Sequence, residues 1–210
     1  MKKVVALLVG LSLMMDPLPS RASEIYRFDW LFTSPAHGVK ASLALGHTYP
    51  GQYLFVSIGG SDLLDIIQIG AHVKPDGKRV AFAAWGSGVP NGVGSFYREI
   101  YLGSIGEGPH KYEIRLVDSR WFLRIDGETR KILSASLFPW EKRSSKAAIE
   151  SHNSRLGGTA AAPAKIRYAR VFDGSVWRMP RVGYWYQGGS SVPARTRERF
   201  GDDWLEVWRV

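Results

Sequence analysis

Cysteine is absent from these 210 residues. That excludes a disulfide framework, a thiolate nucleophile and any Cys-ligated zinc or iron–sulfur centre. Histidine is scarce, with 5 in the chain, and no HExxH pair or third ligand at metal spacing accompanies them, so no metal ion is implied. No GxSxG string is present, and the glycine-rich stretch Gly86 to Gly94 lacks the lysine of a phosphate loop, so no cofactor is implied either. Sustained helical spacing with caps is missing. So is any recognition motif for nucleic acid, which is not an expected partner. Long apolar runs are confined to the first residues, and no later segment is apolar enough to span a bilayer.

What is present begins with Met1-Lys2-Lys3, an apolar run of 12 residues from Val4 to Met15, and Ser20-Arg21-Ala22. A basic start, a short apolar run and small residues before a cut after Ala22 predict a secretory signal over residues 1–22. As a helix the run rises only about 18 Å, against a hydrocarbon core of about 30 Å, so an anchor is not expected. The mature protein, residues 23–210, is expected as one domain outside the cytoplasm, secreted or periplasmic. Loss of Lys2, Lys3, Arg21 and Asp16 with the signal lowers the net charge from +9 to +7. Between Lys142 and Arg199 there are 12 Lys or Arg against Glu150, Asp173 and Glu198. That basic third, with an aromatic-rich tail from about residue 178 to 210, suits an anionic cell-surface polymer as a partner.

Composition, 45% hydrophobic and 22% charged, is that of a folded chain. Short runs rich in β-branched and aromatic residues recur between Gly, Pro, Asn, Asp and Ser punctuation. They predict strands near Ile25–Phe32, Val39–Leu45, Tyr53–Ile58, Asp65–Val73, Arg79–Trp85, Tyr97–Leu102 and Tyr112–Val117. Further strands are predicted near Trp121–Ile125, Thr129–Leu133, Ala147–Ser151, Ile166–Phe172, Gly183–Tyr186 and Leu205–Trp208. Asp76-Gly77 and Asp126-Gly127 sit where hairpin turns need positive φ. Weak helical spacing occurs only at Ser134–Phe138 and Arg195–Phe200. The fold class that follows is all-β, an antiparallel two-sheet β-sandwich.

Alternation then assigns faces. Ile67, Ile69, Ala71 and Val73 point toward the opposite sheet, leaving Ile66, Gln68, Gly70 and His72 on the other face, where Gly70 leaves room beside Gln68. Ile149 faces inward, with Ala148, Glu150 and His152 opposite. Val80 and Phe82 share one face of their strand, and Ala81, Ala83 and Trp85 the other. If these strands share a sheet, one open face collects Gln68, His72, Trp85, Glu150 and His152. An amide, a carboxylate and an indole together would form a polar site for a polymer.

The order Tyr53–Gly60, Ile66–Val73, Asp76-Gly77, a strand ending in Trp85, and later Ala147-Ala148-Ile149-Glu150 resembles the glutamic peptidases of the eqolisin type and the related neprosin type. The resemblance implies a concanavalin-like jelly roll, with Glu150 matching the family's catalytic carboxylate and Gln68 its catalytic amide. His72, Trp85 and His152 would then be binding residues around a polypeptide substrate. Two other readings remain open: a non-catalytic lectin-like sandwich binding carbohydrate or anionic cell envelope, and a glycoside hydrolase or lyase of the same class acting on glycan.

Overall fold

The computed structural model describes residues 26–32, 36–46, 49–59, 65–87, 96–137, 144–151, 159–180, 182–188, 196–201 and 204–209. The expected signal segment and His152 lie outside the described residues. Two sheets are built. The first has seven strands in the order β13 (Val182–Gly188), β1 (Tyr26–Phe32), β10 (Ser144–Ser151), β3 (Gln52–Gly59), β4 (Ile66–Val73), β5 (Arg79–Ser87) and β6 (Phe96–Ser104). The second runs β14 (Thr196–Gly201), β15 (Trp204–Arg209), β11 (Ala164–Phe172), β2 (Gly38–Ala44), β7 (His110–Val117), β8 (Arg120–Ile125) and β9 (Glu128–Ser134). The two-residue β12 (Trp177–Arg178) pairs with β11 outside that order. The pairings are antiparallel, and partners such as β1 with β10 or β2 with β11 lie far apart in the chain. This is a jelly-roll β-sandwich.

The period-2 pattern dictates the packing. In β8 Trp121, Leu123 and Ile125 point inward while Arg120, Phe122 and Arg124 point out, and β7 alternates likewise. One core cluster spans both sheets, with Val56, Ile67, Ile69 and Trp85 from the first meeting Val39, Leu43, Ile114, Trp121 and Ile166 from the second. Each such side chain contributes roughly 1.5–3 kcal/mol through burial.

Turn chemistry closes the hairpins. Gly77 at φ 80°, Asp126 at 52° and Gly127 at 87° adopt the left-handed conformations expected of Asp-Gly. Asp118 at φ 45° and Ser119 at 60° make a third such turn without glycine. Three turn carboxylates are held below their ordinary range. At Asp76 the backbone N–H of Lys78 does this first, and at Asp173 the Arg178 guanidinium, then the N–H groups of Val176 and Ser175. Burial pushes Asp126 up, but His110 at 2.7 Å and the Lys111 N–H outweigh it. A carboxyl depressed in the folded state contributes stability fully above its unfolded value of about 3.9, lost only as pH falls through the lowered one. Circular dichroism should therefore show the sandwich intact at about pH 4, with acid unfolding below about pH 3.

Two expectations change. Arg195–Phe200 is not helical but overlaps β14, because the segment offers no apolar helical stripe and the edge of β15 offers ladder hydrogen bonds. Nor is the stretch after Arg178 a tail: β13 extends one edge of the first sheet, and β14 and β15 extend one edge of the second. The other helical candidate shrinks to one 3₁₀ turn, Ala135–Leu137.

Candidate functional site

The first sheet carries a second, smaller apolar cluster on its outer face, away from the core: Phe55, Phe82, Ala84 and Ala148, with Tyr53 packed against them. Cross-strand register sets out this face in rows. One row runs Glu150, Tyr53, His72, Val80 across β10, β3, β4 and β5. The next runs Ala148, Phe55, Gly70, Phe82, Tyr101, and the next Lys146, Ser57, Gln68, Ala84, Glu99. The last holds Gly59, Ile66, Gly86 and Tyr97. An aromatic path crosses the rows. Tyr53 stacks on His72 at 3.9 Å and meets Phe82 edge-on at 5.4 Å, and His72 lies 6.0 Å from Tyr101.

Charge and burial act together on this face. Burial, then the charges of Glu99, Tyr101 and Glu150, push the Tyr53 hydroxyl far above its ordinary value. Burial and the neighbouring Glu99, which accepts a hydrogen bond from the Tyr97 hydroxyl at 3.0 Å, do the same for Tyr97. By register Glu150 lies toward one edge of the face and Glu99 and Tyr97 on the strand at the other. Both phenols stay protonated, and the Tyr97 proton is committed to Glu99.

The structure places the sequence candidates unevenly. Gln68 is half-buried and shares the outer face with Glu150, but not its row: it lies two strands over and four residues along. His72 is 6% exposed beneath Tyr53, so it supports that ring rather than meeting a ligand. Trp85 does not line this face. It pairs with Ile67 and packs in the core between the sheets. The alternation in β5 was legible, but its sense was not, because Val80, Phe82 and Ala84 are as apolar as Ala81, Ala83 and Trp85. Gly70 leaves no gap for a ligand either. A Cβ there would meet the Leu54 carbonyl oxygen at 2.1 Å and the Phe55 Cβ at 2.6 Å, both on β3.

Sequence reasoning missed Tyr53, Tyr97 and Glu99. The signal for Glu99 was the alternation of β6, in which Tyr97, Glu99 and Tyr101 share a side, but nothing in the sequence said that β6 and β10 belong to one sheet.

The outer face of the second sheet differs in charge. Lys40 leaves β2, Lys111, Glu113 and Arg115 leave β7, Arg120 and Arg124 leave β8, Lys165, Arg167 and Arg170 leave β11, and Glu206 leaves β15. Glu206 is buried between Lys165 at 3.1 Å and Arg167 at 3.2 Å, and Arg124 lies 3.3 Å from Glu113.

No protein-family model and no curated protein matches this chain. Among solved structures it is similar to scytalido-glutamic peptidase bound to a transition state analog inhibitor, at TM-score 0.51 and 13% identity, over 89% of this chain and 98% of that one. SCP-B, a member of the eqolisin family of peptidases bound to the tripeptide Ala-Ile-His, is similar at TM-score 0.49 and 12% identity over the same shares. A glycoside hydrolase family 16 endo-glucanase from Bacteroides ovatus is similar at TM-score 0.47 and 11% identity over 60% of this chain. The chain spans just under two thirds of the glucanase's length, 66%. At these identities the likeness is one of fold: the chain is an antiparallel two-sheet β-sandwich of jelly-roll type.

Proposed function

We propose that this chain is an exported hydrolase that cleaves polypeptide in acid on the outer face of the first sheet, with Glu150 as its catalytic carboxylate and Gln68 as its oxyanion donor. The single observation supporting this reading most is that both side chains belong to that one face, two strands and four residues apart, with Tyr53 between their strands. The similar solved structures include a glutamic peptidase bound to a transition state analog inhibitor, which agrees with it. Glu150 takes a proton from a water whose oxygen attacks the peptide carbonyl carbon, and the Gln68 amide N–H donates to the oxygen that becomes negative. The Glu150 carboxyl then returns the proton to the leaving amine as the C–N bond breaks. The Tyr53 hydroxyl donates to a backbone carbonyl of an extended substrate, while that of Tyr97 stays on Glu99.

A second reading rests on Glu99. Two carboxylates of one sheet face, both acting on Tyr53, suit glycan hydrolysis by an acid and base pair. Three variants separate the two. On denatured albumin at about pH 4, Glu150→Gln and Gln68→Ala should each lower kcat by about 10²–10³-fold, and Glu99→Gln by less than about threefold. Glycan cleavage that requires Glu150 and Glu99 but not Gln68 would replace the peptidase assignment with the second. Binding of glycan with no turnover of either polymer would leave a lectin-like module.

A further inference from the structure

On the opposite side of the sandwich, β11 breaks its ladder with β2 between Arg167 and Arg170. The irregularity throws out Tyr168, which is 59% exposed and holds φ 54°, a left-handed conformation that a bulky residue rarely adopts. Strain kept at an exposed aromatic is a pointer to function. Beside it opens a cavity of about 490 Å³ lined by Lys40, Ser42, Lys111, Arg170 and Tyr168 among others. A second cavity of about 390 Å³, lined by Lys165, Arg167, Arg79 and Glu107 among others, borders this groove at Ser42.

Charge in this groove is unbalanced. Its carboxylates are engaged by other cations, Glu113 by Arg124, Glu206 by Lys165 and Arg167, and Glu107 beside the second cavity by Arg79. Among the described residues no carboxylate lies within ion-pair distance of the Lys40 or Lys111 ammonium. Burial holds the Lys40 amine below its ordinary value, and Arg115, Arg170 and Lys111 push it further down against the pull of Glu113. An anion entering here would relieve that crowding.

We propose that this groove binds an acidic polysaccharide, with one sugar ring against Tyr168 and its carboxylate or sulfate on Lys111 and Arg170. A cavity of about 490 Å³ with an exposed ring at its edge suits sugar-sized units rather than one small ion. Its recess excludes a flat bilayer, and a single aromatic platform does not provide the successive stacking that single-stranded nucleic acid uses. The site is separate from the outer face of the first sheet and does not depend on the activity assigned there.

Calorimetric titration of the full chain with polygalacturonate, with neutral dextran as control, tests this. Binding should be confined to the acidic polymer and weaken with salt. Lys111→Ser with Arg170→Ser should weaken it about tenfold. Tyr168→Gly should weaken it about threefold without loss of stability, since glycine adopts this φ freely. Unchanged binding in those variants, or equal binding of dextran, would overturn the proposal. So would equally tight binding of duplex DNA or phosphatidylserine vesicles that ignores Tyr168→Gly.

Discussion

Trp121→Ala should cost about 4 kcal/mol of folding stability, the loss typical of a fully buried indole. Trp121 is the largest fully buried side chain described, on β8 between Leu116 of β7 and Leu133 of β9. It faces the core from the last strand but one of the second sheet. Its neighbours are anchored in ladders on both sides and can collapse only partly into the space left, so a cavity term adds to the lost transfer energy. For a domain of this size the melting temperature should fall by about 8–16 °C. Urea unfolding followed by circular dichroism would show a lower midpoint at unchanged slope. A loss below about 2 kcal/mol would mean that Trp121 does not fill the space between the sheets as described. Trp121→Phe, which retains much of the volume, should recover more than half of the loss.

Gly70→Ala, which adds a single methyl group, should have a comparable effect. The added methyl would lie 2.1 Å from a backbone oxygen and 2.6 Å from a Cβ of β3, and neither is the free end of a flexible side chain. Relief requires β3 and β4 to separate at the centre of the first sheet, where Gly70 pairs with Phe55. Overpacking of this kind costs about 3 kcal/mol or more, or about 6–12 °C in melting temperature. The same separation would shift Tyr53, Phe55 and His72, so activity should fall even at temperatures where the variant stays folded. A variant as stable as the parent would show that the strands do not approach this closely.

The site and the fold differed in how far the sequence revealed them. Gln68 and Glu150 were readable as sharing a face because their strands mix a polar side with an apolar one. Trp85 was not, because β5 is apolar on both sides: one covers the core and the other lines the outer face with Phe82 and Ala84. Glu99 joins the row of Gln68 only through the pairing of β6 with β5 and β5 with β4, which no single strand encodes.

By itself the sequence determined the class: period-2 runs, turn residues at Asp76-Gly77 and Asp126-Gly127, and no helical stripe leave only antiparallel strands. Local physics suffices there, since propensity and pairing act between near neighbours. Which strands become neighbours was decided only in three dimensions, as β10 came between β1 and β3, β11 came beside β2, and β13, β14 and β15 were added at the sheet edges. That choice depends on burying one continuous core from residues far apart in the chain. It fixed what lies on the outer face of the first sheet and what faces the basic groove on the other side.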